Sequence, residues 1–322
     1  MSFQNKLIDD HTPRDFEISD VDNRIEKLKQ IVRYTLYPVV NALVDPLMRF
    51  KFRKSDLKPD MWFYGQRGND LERHRRRLNA YYKIKDRRVL VIGCGTGRDL
   101  PSWGEYRPKS ILGIDFFCYR RAWEQRQRQF LSLGYPTDLE FSQLNVEDLS
   151  PIASDSIDIV GSDAVLEHLK NIPTVLAEFF RVLKPGGVVY ANFGPLWHSW
   201  GGDHISGYDS ISSGFNHLIL KKDEYKKYLE GINQAHVHSE QDGRTWVLND
   251  MFSYLRAEEY LQGFEMQGFK IEFYGLLVDP RGQKALKSDF LRRKLLKKFN
   301  VLDLLISGMS IICRKPLEAS SP

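Results

Sequence analysis

Residues 87–315 are predicted to form an α/β domain, a parallel sheet with helices on both faces. Three observations support that expectation. From residue 87 onward, short apolar runs alternate with amphipathic segments. The helical segments stop at glycine or proline, and the first apolar run opens into three alternate glycines, Gly93, Gly95 and Gly97. In chain order, "RVLVIG" (88–93) and "SILGIDF" (110–116) read as strands, with a short proline-interrupted helix between them. "YRRAWEQRQRQFLSLG" (119–134) reads as a helix ended by Gly134 at a C-cap position. "LEFSQLN" (139–145) and "SIDIVGSDA" (156–164) are the third and fourth strands. "IPTVLAEFFRVLKPGG" (172–187) is a helix whose end is marked by Pro185, Gly186 and Gly187, and "GVVYANF" (187–193) is the fifth strand.

Composition narrows the function classes. A chain of 322 residues with 42% hydrophobic and 12% aromatic residues can bury a sizeable core. No apolar segment approaches the roughly 18–20 residues of a membrane helix. The start, "MSFQNKLIDDHTPRDFEISD", is polar and lacks the apolar centre of a secretory leader, so a cytoplasmic location is expected. Cys94, Cys118 and Cys313 are scattered and read as reduced thiols. The net charge of +5 is unevenly spread, with basic clusters at 72–77, 119–129 and 291–298. The first two read as solvated helical faces, with an acidic partner as the sharper alternative.

Glycines directly after a strand allow a tight turn or a close approach to the backbone. A phosphate, a nucleoside with its tail, or the neighbouring helix would each need that. A dinucleotide fold places G-x-G-x-x-G here, whereas this chain has G-x-G-x-G and no second phosphate motif. Asp115 follows Gly97 by 18 residues, at a strand end where an acid can accept from ribose hydroxyls. The turn therefore suits a closely approaching ligand better than a pyrophosphate.

At this point the chain resembles the class I S-adenosylmethionine-dependent methyltransferases. The matching segments are "VLVIGCGTG", "GIDFF", "QLNVEDL" (143–149), "DIVGSDAVLEHL" (158–169) and "FFRVLKPGGVVYANF" (179–193). Their order and spacing match across residues 87–195, and "LRAEEYLQGFEMQGFKIEFYG" with "GMSIICRKP" looks like the family's last helix and final strand pair. The resemblance implies a Rossmann-like seven-stranded sheet and S-adenosyl-L-methionine as cofactor. It places Gly93, Cys94, Gly95 and Gly97 along the methionine and ribose, Asp115 at the ribose hydroxyls, and Phe116 on the adenine face. Asn145 stands where the family often has Asp and would accept from the adenine amine through its carbonyl. The backbone of Val146 would meet the adenine ring, and Ser162 would lie under the methionine end. Phe116 as plain core, and Asp163 as cap of the helix that follows, are the structural alternatives.

A sulfonium methyl is already activated, so transfer depends mainly on positioning. A hydroxyl acceptor must also lose a proton, usually to a histidine. The segment "NFGPLWHSWGGDHISGYDS" (192–210) follows the fifth strand and contains His198 and His204. His204 is preferred as base because Asp203 and the flanking glycines could orient it. His168, in "VLEH", reads as structural, and ligand spacing does not support a metal site from His198, Asp203 and His204.

Outside the resemblance, residues 1–86 read as a helical N-terminal extension or lid, and 195–250 as an inserted cap over the acceptor pocket. Residues 287–306 read as a basic amphipathic helix with a stripe of Leu291, Leu295, Phe299, Leu302 and Ile306. Core packing of that stripe is favoured over peripheral membrane contact. The expected activity is O-methylation of a small-molecule, glycan or lipid-linked hydroxyl. N- or C-methylation and a non-catalytic cofactor-binding partner are the alternatives. A nucleic-acid acceptor is disfavoured, because the chain has no appended RNA-binding module and no N/D-P-P-Y type motif.

Overall fold

The computed structural model describes residues 62–64, 71–232 and 243–317. The amphipathic stretch 21–50, most of 60–70 and the 233–242 part of the cap lie outside the described residues.

Among the described residues, eight strands form one sheet. They are β1 (Trp62–Tyr64), β2 (Arg88–Ile92), β3 (Ser110–Asp115), β4 (Asp138–Gln143), β5 (Ile157–Asp163), β6 (Leu183–Phe193), β7 (Lys270–Val278) and β8 (Ile306–Arg314). Their spatial order is β1-β7-β8-β6-β5-β2-β3-β4. β8 runs antiparallel between β6 and β7, and the remaining pairs are parallel. Seven of these strands make the expected sheet, and β1 adds a three-residue parallel edge on β7.

The sheet is covered on both faces, which is why central strands carry continuous apolar runs rather than alternating ones. Residues 89–92 of β2 and 188–191 of β6 are such runs, and all are buried. One face packs on α4 (Ile172–Val182) and α7 (Ala257–Met266). The other packs on α1 (Leu71–Tyr81), α2 (Pro101–Gly104) and α3 (Arg120–Ser132) through Leu78, Trp103 and Phe130. Between β6 and α7 lie α5 (Lys222–Gly231) and α6 (Gly243–Leu248).

Two segments differ from the sequence expectation. Residues 183–187 belong to β6, not to the preceding helix. Lys184 precedes Pro185 and is biased toward extended backbone, and Leu183 gains a fully buried place paired with Ile157. Residues 287–306 hold two short helices, α9 (Asp289–Leu295) and α10 (Val301–Leu305), after α8 (Pro280–Ala285). The break at 296–300 lets Leu291 and Leu295 pack on Trp200 and Phe215. Leu302 and Ile306 instead join the core under the sheet. The stripe is thus largely buried, and Arg292, Arg293, Lys294, Lys297 and Lys298 face outward.

The basic clusters also depart from a simple solvated face. Arg75, inside "ERHRRR", is completely buried, and Arg126 in α3 is 8% exposed.

Candidate active site

The glycine turn follows β2 and packs against the end of β3. Gly93, Gly95 and Gly97 all have positive φ, at 58°, 51° and 74°. A Cβ on Gly93 would lie 2.3 Å from Val165 Cγ2, so the segment leaving β5 presses directly on the turn. The Cys94 N–H donates to the Ile114 carbonyl at 3.0 Å. Asp115 secures the turn from the other side. Its Oδ2 accepts from the Gly95 N–H at 2.8 Å and its Oδ1 from the Phe117 N–H at 2.9 Å. Trp123 of α3 donates its indole N–H to the Gly95 carbonyl at 2.7 Å and stacks on Phe141 at 5.2 Å. Nothing in the charged run around Trp123 pointed to that role.

The other expected cofactor residues lie along the same edge. Phe116 is half-buried and edge-on to Phe117 at 5.3 Å. Asn145 Oδ1 accepts from the Glu147 N–H at 3.0 Å, so an adenine amine would share that carbonyl with the backbone. Val146 packs on the main core. Ser162 is fully buried and its Oγ has no hydrogen-bond partner among the described residues.

Next to Ser162, Asp163 binds inward instead of capping a helix. Its carboxylate pairs with Arg75 of α1 and accepts from the Tyr190 hydroxyl at 2.7 Å. Burial works against the charge on Arg75, but Asp163 outweighs it and holds the guanidinium above its ordinary range. Two further Arg75 nitrogens, Nε and Nη1, are buried without hydrogen-bond partners among the described residues. Unsatisfied buried donors at the carboxyl end of β5 suit a ligand that carries a carboxylate. S-adenosylmethionine fits this set: Asp115 would hold the ribose, and Arg75 and Ser162 would face the methionyl end. Asp115→Ala is expected to weaken cofactor binding by about 1.5–3 kcal/mol, the usual loss for hydrogen bonds to a charged group. Calorimetric titration with S-adenosylmethionine and its demethylated product checks this, and unchanged affinity would remove Asp115 from the site.

The acceptor side is built on the short turn Leu166–His168 after β5. Three bonds fix it. The Tyr260 hydroxyl donates to the Leu166 carbonyl at 3.1 Å, the Ser253 N–H donates to the Glu167 carbonyl at 2.9 Å, and His168 Nδ1 meets the Met251 carbonyl at 3.0 Å. Glu167 is 2% exposed; its Oε1 accepts from the Gly194 N–H at 2.9 Å, and its Oε2 has no partner among the described residues. Burial pushes its carboxyl up to about 8 and pushes the His168 imidazole down to about 4.

The loop after β6 brings His204 onto this turn. Its ring lies 4.9 Å from His168 and 4.8 Å from Trp246. Within the same loop, a Cβ on Gly202 would lie 2.2 Å from the Trp197 carbonyl, so the chain can pass there only as glycine. Asp203 does not orient His204. It is fully buried and accepts from the Ile205 and Ser206 N–H groups, the Ser206 hydroxyl and the Tyr225 hydroxyl. A carboxylate has about four acceptor sites, so Asp203 is spent on loop structure. His198 points elsewhere, with its ring 5.3 Å from Phe299, and burial lowers its pKa. The structure therefore brings together His204, His168 and Glu167, and it separates His198 and Asp203 from them. The sequence alone does not single out Glu167; the "VLEH" motif contains it, but the loop that completes the cluster lies well beyond it in the chain.

Comparison with known proteins agrees with the geometry. Residues 90–191 match the model of a methyltransferase domain. A ubiquinone biosynthesis O-methyltransferase from Paracidovorax citrulli is 30% identical over 113 residues, covering 35% of this chain and 46% of that protein. A tRNA U34 carboxymethyltransferase from Nautilia profundicola is 28% identical over 170 residues, covering 52% of this chain and 51% of that protein. The chain spans about half the length of these curated relatives. Among solved structures, a SAM-dependent methyltransferase from Methanosarcina mazei aligns with a TM-score of 0.44 and 22% identity, covering 75% of this chain and 98% of that one. Among the described residues, no helix is long and apolar enough to cross a membrane. Through the sheet order, the glycine turn and the matched segment, residues 90–191 carry a methyltransferase domain of the class I S-adenosylmethionine-dependent kind.

Proposed function

We propose that this chain transfers the methyl group to a hydroxyl of a small-molecule, glycan or lipid-linked acceptor, in the cytoplasm. The observation behind this reading is the convergence of Glu167, His168 and His204 at the carboxyl ends of β5 and β6. Bound S-adenosylmethionine supplies a methyl group on a sulfonium, which becomes a neutral thioether as the methyl leaves. Acceptors that are amines or carbanions need little further help, but a hydroxyl must shed its proton for transfer to proceed. A cluster of two imidazoles and a carboxyl is suited to that task, and His204 is the member brought in by the loop over the acceptor side. Trp246 and Phe252 lie against His168 and His204 and line one side of the cluster. Relatives described as ubiquinone and malonyl-acyl-carrier-protein O-methyltransferases support oxygen as the acceptor atom.

The test is a reaction of purified protein with cell extract and methyl-carbon-13 cofactor. The carbon-13 shift of the labelled product should report a methyl ether or ester. A label found on nitrogen or carbon would overturn the O-methyl reading.

A further inference from the structure

We infer that Glu167, His168 and His204 together hold a divalent transition-metal cation, and that the acceptor oxygen binds to it. This deepens the O-methyl reading and rests on its placing of the acceptor.

The geometry comes first. One ligand atom from each of the three residues lies within 4.8 Å of the other two. A tetrahedral cation held at about 2.0–2.1 Å needs ligand atoms roughly 3.3 Å apart. Side-chain movements of about an ångström supply the difference, and His204 sits on a loop rather than in the sheet.

The second observation is the state of each ligand. Glu167 Oε2 is a carboxyl oxygen on a residue only 2% exposed, and no hydrogen bond reaches it among the described residues. Such an atom is costly unless something positive or a donor meets it. Its other oxygen is already fixed by the Gly194 N–H, so the carboxyl has one oriented face and one bare one. His168 has the complementary arrangement. With Nδ1 against the Met251 carbonyl, the ring donates there and its Nε2 keeps the lone pair. Metal-binding histidines commonly donate their other N–H to a carbonyl in this way.

The donor set indicates the class of ion. Two imidazole nitrogens and one carboxylate oxygen suit zinc, cobalt, manganese or iron(II) better than magnesium or calcium, which prefer all-oxygen sites. Three protein ligands leave a position open for a substrate oxygen. A hydroxyl bound there becomes more acidic and loses its proton to water, leaving the oxygen's electron pair to form the bond to the methyl carbon. The carbon–sulfur pair returns to sulfur, so charge and atoms balance without an oxidant or reductant.

The experiment uses the untagged full chain, stripped by chelator and titrated with cobalt(II) and zinc(II). Calorimetry should show one equivalent of cation, and bound cobalt should show ligand-field absorption in the visible. Glu167→Gln keeps the acceptor for Gly194 but replaces the oxygen that would bind the cation by an amide nitrogen with no lone pair to give, and it should weaken binding at least about tenfold. His204→Ala, on the loop, should do the same and decides the matter if Glu167→Gln fails to fold. Absence of stoichiometric uptake by folded wild-type protein, or wild-type affinity in both variants, overturns the inference. Protein that makes an O-methyl product without taking up cation sinks only this inference. Protein that binds cation but labels nitrogen sinks only the reading above.

Discussion

Replacing His204 by alanine lowers methyl-transfer turnover by about 10²–10⁴-fold, the range that removal of an acid–base group typically costs. Cofactor affinity stays close to wild type, because His204 belongs to the loop after β6 and not to the glycine turn or the end of β3. The split is the informative part. A loop that merely packs would lose stability and cofactor affinity together, whereas a group acting on the acceptor changes the rate with the cofactor already bound. His198→Ala supplies the contrast. That ring lies against Phe299 and away from the Glu167 turn, so most of the turnover remains. Single-turnover measurements with the native acceptor decide it. Near-full turnover in His204→Ala would move the chemistry to a nitrogen, a carbon or an already acidic hydroxyl.

The sheet was legible because its central strands are buried on both sides and therefore show as apolar runs. Residues 89–92 and 188–191 are such runs, and the end of the first places the glycine turn without further information. What escaped the sequence depends on contacts between distant residues. Arg75 reads as one more cation on a polar helix, and only Asp163, 88 residues later, makes it a core residue. Asp203 reads as an orienting partner for the adjacent His204, yet its acceptor capacity goes to Ser206 and to Tyr225, which lies 22 residues away. The Glu167–His168 pair was visible in "VLEH" but carried no chemistry until the loop delivered a third group. β1 is too short to show any periodicity, and its pairing with β7 is purely a matter of edge geometry.

Arg75→Met should cost the fold about 3–5 kcal/mol, the range for breaking a buried ion pair by removing one partner. Both side chains are buried, at 0% and 8% exposure, so solvent does little to screen the loss. Arg75 also lies over the Trp103 ring at 3.9 Å and the Tyr190 ring at 5.0 Å, and methionine keeps part of that packing. What remains is an Asp163 carboxylate held by the Tyr190 hydroxyl but without its counter-charge. Asp163→Asn should be costly for the opposite reason, since it leaves a guanidinium buried between two aromatic rings. The double variant is the decisive one. With both charges removed, the amide introduced by Asp163→Asn can still accept from the Tyr190 hydroxyl, and no unpaired charge is left inside. The double loss should therefore fall short of the summed single losses by about 0.5–3 kcal/mol. Urea unfolding of cofactor-free protein measures all three, because bound cofactor would add stability of its own. Losses below about 1 kcal/mol that simply add would mean that the pair is effectively solvated. Helix α1 would then be held to the sheet by Leu78 and its apolar neighbours rather than by charge.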